Sequence, residues 1–227
     1  MKTAAPKSPR KKPHQARAQA SVSAILEAAI RVFEREGPDA ATTTRVAEVA
    51  GVSVGTLYQY FADRQAIVDA LQEREFERAL ALMSDVLSRD NLRASPKKTI
   101  ERVIRGLASL YESQPALHRT LAMDGLRSVA SNRVQAFDIR VIAIVRHFLS
   151  ATGAPMRRKN LDAAAFIAFQ AVRATMLASL LERPAGVDSE ALVQELADLL
   201  MRYLVDAPAP RIAPKKRAVA KPKRKPR

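Results

Sequence analysis

Apolar residues recur along this chain at intervals of three and four, and no alternating Val/Ile/Thr run bounded by turn residues demands a strand. Over 21–36 the set Ile25, Ala28, Ala29, Val32 and Phe33 shares one helical face, and Gly37 with Pro38 ends the run. A short second helix follows, with Thr42 and Thr43 as alternative N-caps, Val46, Ala47, Val49 and Ala50 within it, and Gly51 closing it. A tight turn at Gly51, Val52 and Ser53 leads into a third helix, which Ala62 and Asp63 interrupt. The period then predicts a long helix over 64–88 and further helices over 97–113, 115–130, 132–151, 160–183 and 189–205. Their breaks fall at Gln114-Pro115, Ser131-Asn132, Gly153-Ala154-Pro155 and Pro184-Ala185-Gly186. No internal repeat is evident. The expected fold is all-α: an N-terminal three-helix unit of about 45 residues, a long connecting helix and a larger C-terminal helical domain.

Charge refines this outline because of where it lies. Of the net +15, six cations fall in residues 1–20 (Lys2, Lys7, Arg10, Lys11, Lys12, Arg17) and nine in 207–227 (Arg211, Lys215, Lys216, Arg217, Lys221, Lys223, Arg224, Lys225, Arg227), with no acid in either segment. The two segments therefore carry the whole excess, and 21–206 is formally neutral. Basic, Pro-containing, unpatterned termini on a neutral body suggest disordered arms that seek a polyanion, although such arms can also merely solubilise. The expected organisation is a disordered basic arm over 1–20, a three-helix unit over 21–66, a larger helical domain over 67–206, and a disordered basic tail over 207–227.

Composition excludes several chemistries. With no Cys there is no disulfide framework, thiolate nucleophile or Cys-based metal site. Three His residues, dispersed along the chain, do not suggest a metal cluster, and no motif for nucleotide binding or nucleophilic catalysis occurs. Neither an enzyme nor a cofactor is expected. The first twenty residues hold no apolar signal-like core, and no stretch reaches the roughly 18 uncharged apolar residues of a membrane helix. A cytoplasmic protein is the expectation.

The uncharged stretch 51–61, GVSVGTLYQYF, carries the functional signal. On a helical wheel with Leu57 inward, Phe61 falls about 40° away, Ser53 and Tyr60 share that hemisphere, and Val54 lies on its border. Gly55 and Gln59 point outward, flanked by Thr56 and Tyr58. Gly55 permits close backbone approach, Gln59 can offer a bidentate amide to a base edge, and the hydroxyls of Thr56 and Tyr58 can bond phosphate oxygens. A three-helix unit also needs a short third helix for its own core, so the pattern alone leaves both readings open.

The run TTRVAEVAGVSVGTLYQYFADRQAIVDAL, residues 43–71, closely resembles the DNA-binding motif of tetracycline-repressor-like (TetR) transcriptional regulators. In that family a Thr opens the second helix, an Ile/Val-Ala pair fills its inner face, and Gly-Val-Ser-x-Gly-Thr-Leu-Tyr-x-Tyr/His-Phe forms the turn and recognition helix. The resemblance implies that Thr43 caps the second helix near a phosphate, that Thr44 and Arg45 lie beside the backbone or reach a base, and that Ser53 caps the recognition helix. Val54 occupies a variable, often polar position and could make only apolar contact, for instance with a thymine methyl. Gly55, Thr56, Tyr58, Gln59 and Tyr60 would line the groove or its phosphate walls, and Arg64 would bind phosphate at the start of the long helix.

For the C-terminal region the resemblance implies a dimer interface on the last two long helices and a pocket for an unidentified small-molecule effector. Ala164, Ala168, Ala171 and Ala178 approximate one small-residue stripe, and Leu192, Leu196, Leu199, Leu200 and Tyr203 one apolar face. Both could equally close the protomer's own core. Candidate pocket residues are Tyr111, His118, Met123, Phe137, His147, Phe148, Phe166, Phe169, Gln170, Arg173 and Met176, most of which could also serve as plain core. Arg173, inside an apolar run, wants an anion; Glu182, Asp162 or a solvated face would satisfy it as well as a ligand. The whole reads as a homodimeric repressor that binds a pseudo-palindromic operator in double-stranded DNA and responds to an effector. The alternative is a nucleoid-associated or architectural protein driven by its tails.

Overall fold

A computed structural model describes residues 12–87, 95–127, 132–182 and 184–205. All are built from helices and turns, apart from one isolated antiparallel bridge between Met156 and Val205. In chain order the helices are α1 (Lys12–Glu36), α2 (Thr43–Ala50), α3 (Val54–Tyr58), α4 (Arg64–Val86), α5 (Pro96–Ser113), α6 (Pro115–Arg127), α7 (Asn132–Ala151), α8 (Leu161–Glu182) and α9 (Ser189–Leu204), with a single 3-10 turn at Pro38–Ala40.

The first helix starts earlier than expected. The segment 12–20, read from its charge as part of a disordered arm, is helical. Its Lys, Gln, Arg and Ala residues favour helix, Pro13 sits in the tolerated first turn, and extending a helix already anchored at Ile25 is far easier than nucleating one. The rest of that arm and the 207–227 tail lie outside the described residues.

Side chains from α1 to α4 close the head. Ile25, Ala28, Ala29, Val32 and Phe33 of α1 meet Val46 and Ala47 of α2, Leu57 of α3, Phe61, and Ile67, Val68 and Leu71 of α4 in one buried cluster. The 66/67 boundary read from the sequence therefore cuts a helix whose first two turns belong to the head. Two further members come from the other domain: Leu117 and Leu121 of α6 are buried in the same cluster. The Glu34 carboxylate of α1 also accepts from the Leu117 backbone N–H at 2.8 Å, in the first turn of α6. Anchors thus join head and body on both α4 and α6.

In the body, α7 runs against α8 and α5 against α9, while α4 packs on both α5 and α7. The alanine stripe turns inward: Ala164 and Ala168 are buried in the protomer's own core, as are Leu196 and Leu200 of α9. Small residues let α8 approach its neighbours closely, so the stripe expected at a dimer interface serves intramolecular packing. The large apolar residues that α8 and α9 leave in solvent are Phe166, Ile167 and Leu199, at 50%, 45% and 55% exposure. Among the described residues α8 is also long and apolar enough to cross a membrane by length and composition, contrary to the sequence expectation. Its buried Ala164, Ala165, Ala168, Phe169 and Met176 fit a core helix equally well.

Candidate nucleic-acid interface and effector cavity

Local chemistry sets the geometry of the helix-turn-helix. Thr42, rather than Thr43, is the N-cap of α2: its side chain accepts from Arg45 N–H at 3.2 Å. Thr43 is thereby placed as the first helical residue, and its hydroxyl lies 3.1 Å from that of Tyr58, tying the start of α2 to the end of α3. Gly51 ends α2 at φ 70°, in the left-handed region that any Cβ would strain. Ser53 then caps α3, accepting from Thr56 N–H at 3.0 Å.

Leu57, fully buried, and Phe61 pin α3 to the head core, while Ser53, Val54, Gly55, Tyr58, Gln59 and Tyr60 are exposed, as is Thr44 on α2, and Thr56 is half-buried. The wheel placed Tyr60 inward, yet it is 37% exposed. Tyr60 lies in the turn that follows the last residue of α3.

Two cations expected at phosphates are engaged within the protein. Arg45 binds Glu36 through both Nε and a terminal nitrogen, the shortest distance being 2.8 Å, and reaches Glu48 at 2.8 Å. The hydrogen bond to Glu36, and after it that to Glu48, raises the guanidinium's pKa further, and Arg45 in turn lowers that of Glu36. Arg64 donates to the Pro38 carbonyl at 3.0 Å and lies over the Phe33 ring. Sequence reasoning overlooked Glu36, which is distant from Arg45 along the chain although it sits at the exit of α1.

Between α4 and the body helices lie two adjoining cavities. One, of about 110 Å³, is walled by apolar groups including Met83, Ile104, Phe148, Phe169 and Met176. The other, of about 200 Å³, is bordered by Gln72, Glu75, Phe76, His118, Gln135 and Asp138. Ala79, Tyr111, Phe137 and Arg173 border both. Of the residues expected in a pocket, Tyr111, His118, Phe137, Phe148, Phe169, Arg173 and Met176 line these spaces. Met123 lines a separate cleft beside Arg64 and Arg119, His147 and Phe166 are exposed, and Gln170 borders neither cavity.

Arg173 pairs with Asp138, at 2.8 and 3.1 Å, rather than with Glu182 or Asp162. Burial raises the Asp138 carboxyl above its ordinary range in spite of that partner. Glu75, also overlooked, is buried on α4 and accepts from Arg78 at 3.0 and 3.1 Å. The available signal was an acid on the inward face shared by Leu71. His118 is 6% exposed, lies 3.8 Å from Glu75 through Nε2, and stacks obliquely on Tyr111 at 4.9 Å.

Sequence and structure comparisons converge. Residues 25–71 match the profile described as "Bacterial regulatory proteins, tetR family", and residues 95–204 that described as "Tetracyclin repressor-like, C-terminal domain". The HTH-type transcriptional regulator UidR of Escherichia coli strain K12 is 34% identical over 67 residues, which cover 30% of this chain and 34% of UidR. The nucleoid occlusion factor SlmA of Actinobacillus pleuropneumoniae is 28% identical over 132 residues, 51% of this chain and 65% of SlmA. The match thus spans about a third of UidR and just under two thirds of SlmA. Two solved structures share the fold: Thermus thermophilus FadR, a repressor in complex with lauroyl-CoA (19% identity, TM-score 0.62, 83% of this chain and 97% of that one), and NalD, the secondary repressor of an efflux pump in Pseudomonas aeruginosa (18%, 0.59, 84% and 98%). With both profiles matched in order over the head and the body just described, the chain belongs to the TetR family of bacterial regulatory proteins.

Proposed function

We propose that the chain is a homodimeric, effector-responsive DNA-binding repressor that reads a pseudo-palindromic operator with α3 and performs no chemical step. The observation that carries this reading is the outer face of α3: a Ser-capped helix presenting Gly55, Tyr58 and Gln59 to solvent while Leu57 and Phe61 hold it on the core. Thr43 and Tyr58, hydroxyl to hydroxyl, would bond phosphates beside the groove. Arg45 would act first as a clamp on the head and would reach DNA only by exchanging Glu36 for a phosphate.

Phe166, Ile167 and Leu199 supply an apolar face for a second copy, which also accounts for an α8 that is apolar on more than one side. The cavities beside α4 support an effector site, because Gln72, Glu75 and Phe76 border one while Ile67, Val68 and Leu71 of the same helix anchor the head. The lauroyl-CoA complex of a structural relative supports a ligand for this fold. A cytoplasmic, nucleoid-associated location follows from the DNA partner.

The tail-driven alternative is disfavoured, since both profile matches fall between 25 and 204. Selection of genomic fragments by the purified chain, followed by footprinting, tests the reading. A two-fold symmetric protected site is expected, and retention without any preferred sequence overturns it. Removing 1–11 and 206–227 should flatten the salt dependence while leaving the preferred sequence unchanged; loss of preference would make the tails the reader.

A further inference from the structure

The larger cavity holds an unanswered polar atom. His118 Nε2 is buried and has no hydrogen-bond partner, while the same imidazole hydrogen-bonds the Leu110 backbone. With the neutral ring's proton placed on Nδ1, toward Leu110, Nε2 is a bare acceptor 3.8 Å from Glu75. Burial lowers the His118 pKa, so this neutral form prevails near neutral pH.

The charges around it are already matched. Glu75 accepts from Arg78 at 3.0 and 3.1 Å and lies 3.4 Å from Arg74 Nε, and Asp138 takes two contacts from Arg173. A carboxylate entering here would meet two carboxylates and a guanidinium already engaged. An ammonium would be desolvated with no acid left over to receive it. Gln72 and Gln135 also border the lobe, but Nε2 has no partner, and a neutral donor from a ligand would supply it.

Size narrows the choice. A dry apolar cavity of about 150 Å³ takes a benzene ring. The His118 lobe, at about 200 Å³, can therefore hold one substituted ring. The apolar lobe beyond Tyr111 and Phe137, at about 110 Å³, holds only a few carbons.

Resting on the effector-responsive reading above, we propose that the effector is a neutral hydroxylated hydrophobe of about the size of a short-chain alkylphenol, its hydroxyl donating to His118 Nε2 and its alkyl group entering the apolar lobe. The Arg173–Asp138 pair at the junction stays closed and acts as wall rather than as ligand receptor. This places the selectivity of the protein on a neutral hydrogen bond to His118, in a lobe that Gln72, Gln135 and the closed Arg173–Asp138 pair also border.

Calorimetric titration of the full chain with 4-propylphenol, propylbenzene, 4-propylbenzoate and 4-propylbenzylamine tests this. The phenol should bind about tenfold or more tightly than each of the other three. His118→Phe should bring phenol down to the level of propylbenzene, whereas His118→Gln, which keeps an acceptor, should restore part of the difference. The ranking in the unmodified protein decides the matter even if a variant fails to fold. Tighter binding of the benzoate, lost in Arg173→Gln, would make the cavity an anion site and overturn the proposal. Equal affinity for phenol and propylbenzene, or no binding of any probe, would overturn it too. So would a phenol that binds without weakening retention of the selected genomic fragments. None of these outcomes bears on whether a symmetric operator is found, so failure of the ligand class is distinguishable from failure of the regulator reading.

Discussion

Replacing Leu117 with Ala should unfold the DNA-reading head more readily, although the residue belongs to α6 of the other domain. Leu117 is completely buried among head side chains, and the Glu34 carboxylate fixes its backbone N–H at 2.8 Å. Leu→Ala at such sites costs about 2.7–5 kcal/mol, with the upper part of the range applying where neighbours cannot collapse into the cavity. A first turn of α6 held by Glu34 resists collapse, so about 3–4 kcal/mol is expected. For a chain of this size each kcal/mol moves the melting midpoint by roughly 2–4 °C, which predicts a drop of roughly 6–16 °C at fixed protein concentration. Leu126→Ala on the same helix is the control: at 49% exposure it should cost about 1 kcal/mol or less. Urea and thermal unfolding give the magnitudes, and amide exchange of Val46, Ala47 and Leu57 locates the loss. If Leu117→Ala costs no more than Leu126→Ala, or if head amides keep their protection while the protein as a whole weakens, α6 is not part of the head core.

Other outcomes follow from the same contacts. Glu36→Gln should free Arg45 from its bidentate partner; non-specific DNA binding should tighten and its salt slope steepen by about one unit, and an unchanged slope would leave Arg45 without access to phosphate. Gln59→Ala should lower operator affinity by about tenfold or more while leaving random-sequence DNA nearly unaffected, as competition assays would read; matched losses would remove α3 as the reader. Burial depresses the His118 pKa below its ordinary 6.5, opposed by Glu75 and Glu34 and assisted by Arg78. The unfolded chain therefore binds the extra proton first, so this contribution to stability is complete above about pH 6.5 and fades as pH falls toward the lower folded value. Urea midpoints at pH 7.5 and 5.5 should show a smaller acid loss for His118→Gln than for the unmodified protein; equal losses contradict the assignment. Phe166→Glu should convert the proposed homodimer to monomer in sedimentation, and a dimer that persists would place the interface elsewhere.

Most helices were legible in the sequence, and so was the face of α3 that points away from Leu57. Helix limits are local: a break at Gly37-Pro38, a left-handed Gly51 and the caps Ser53 and Asp63 act within three or four residues, the range over which backbone hydrogen bonds and helical periodicity operate. The early start of α1 shares this origin, since the Ala, Gln and Arg of 12–20 favour helix whatever the local charge. Destinations of side chains were not legible. The alanine stripe on α8, Arg173 and Leu117 each had several partners compatible with sequence, and packing chose among them. It buried Ala164 and Ala168 in the protomer, brought Asp138 from α7 to Arg173, and drew Leu117 into the head. The physical reason is the same in each case: periodicity says which side of a helix is apolar, while the partner of that side is set by close packing among helices far apart in the chain.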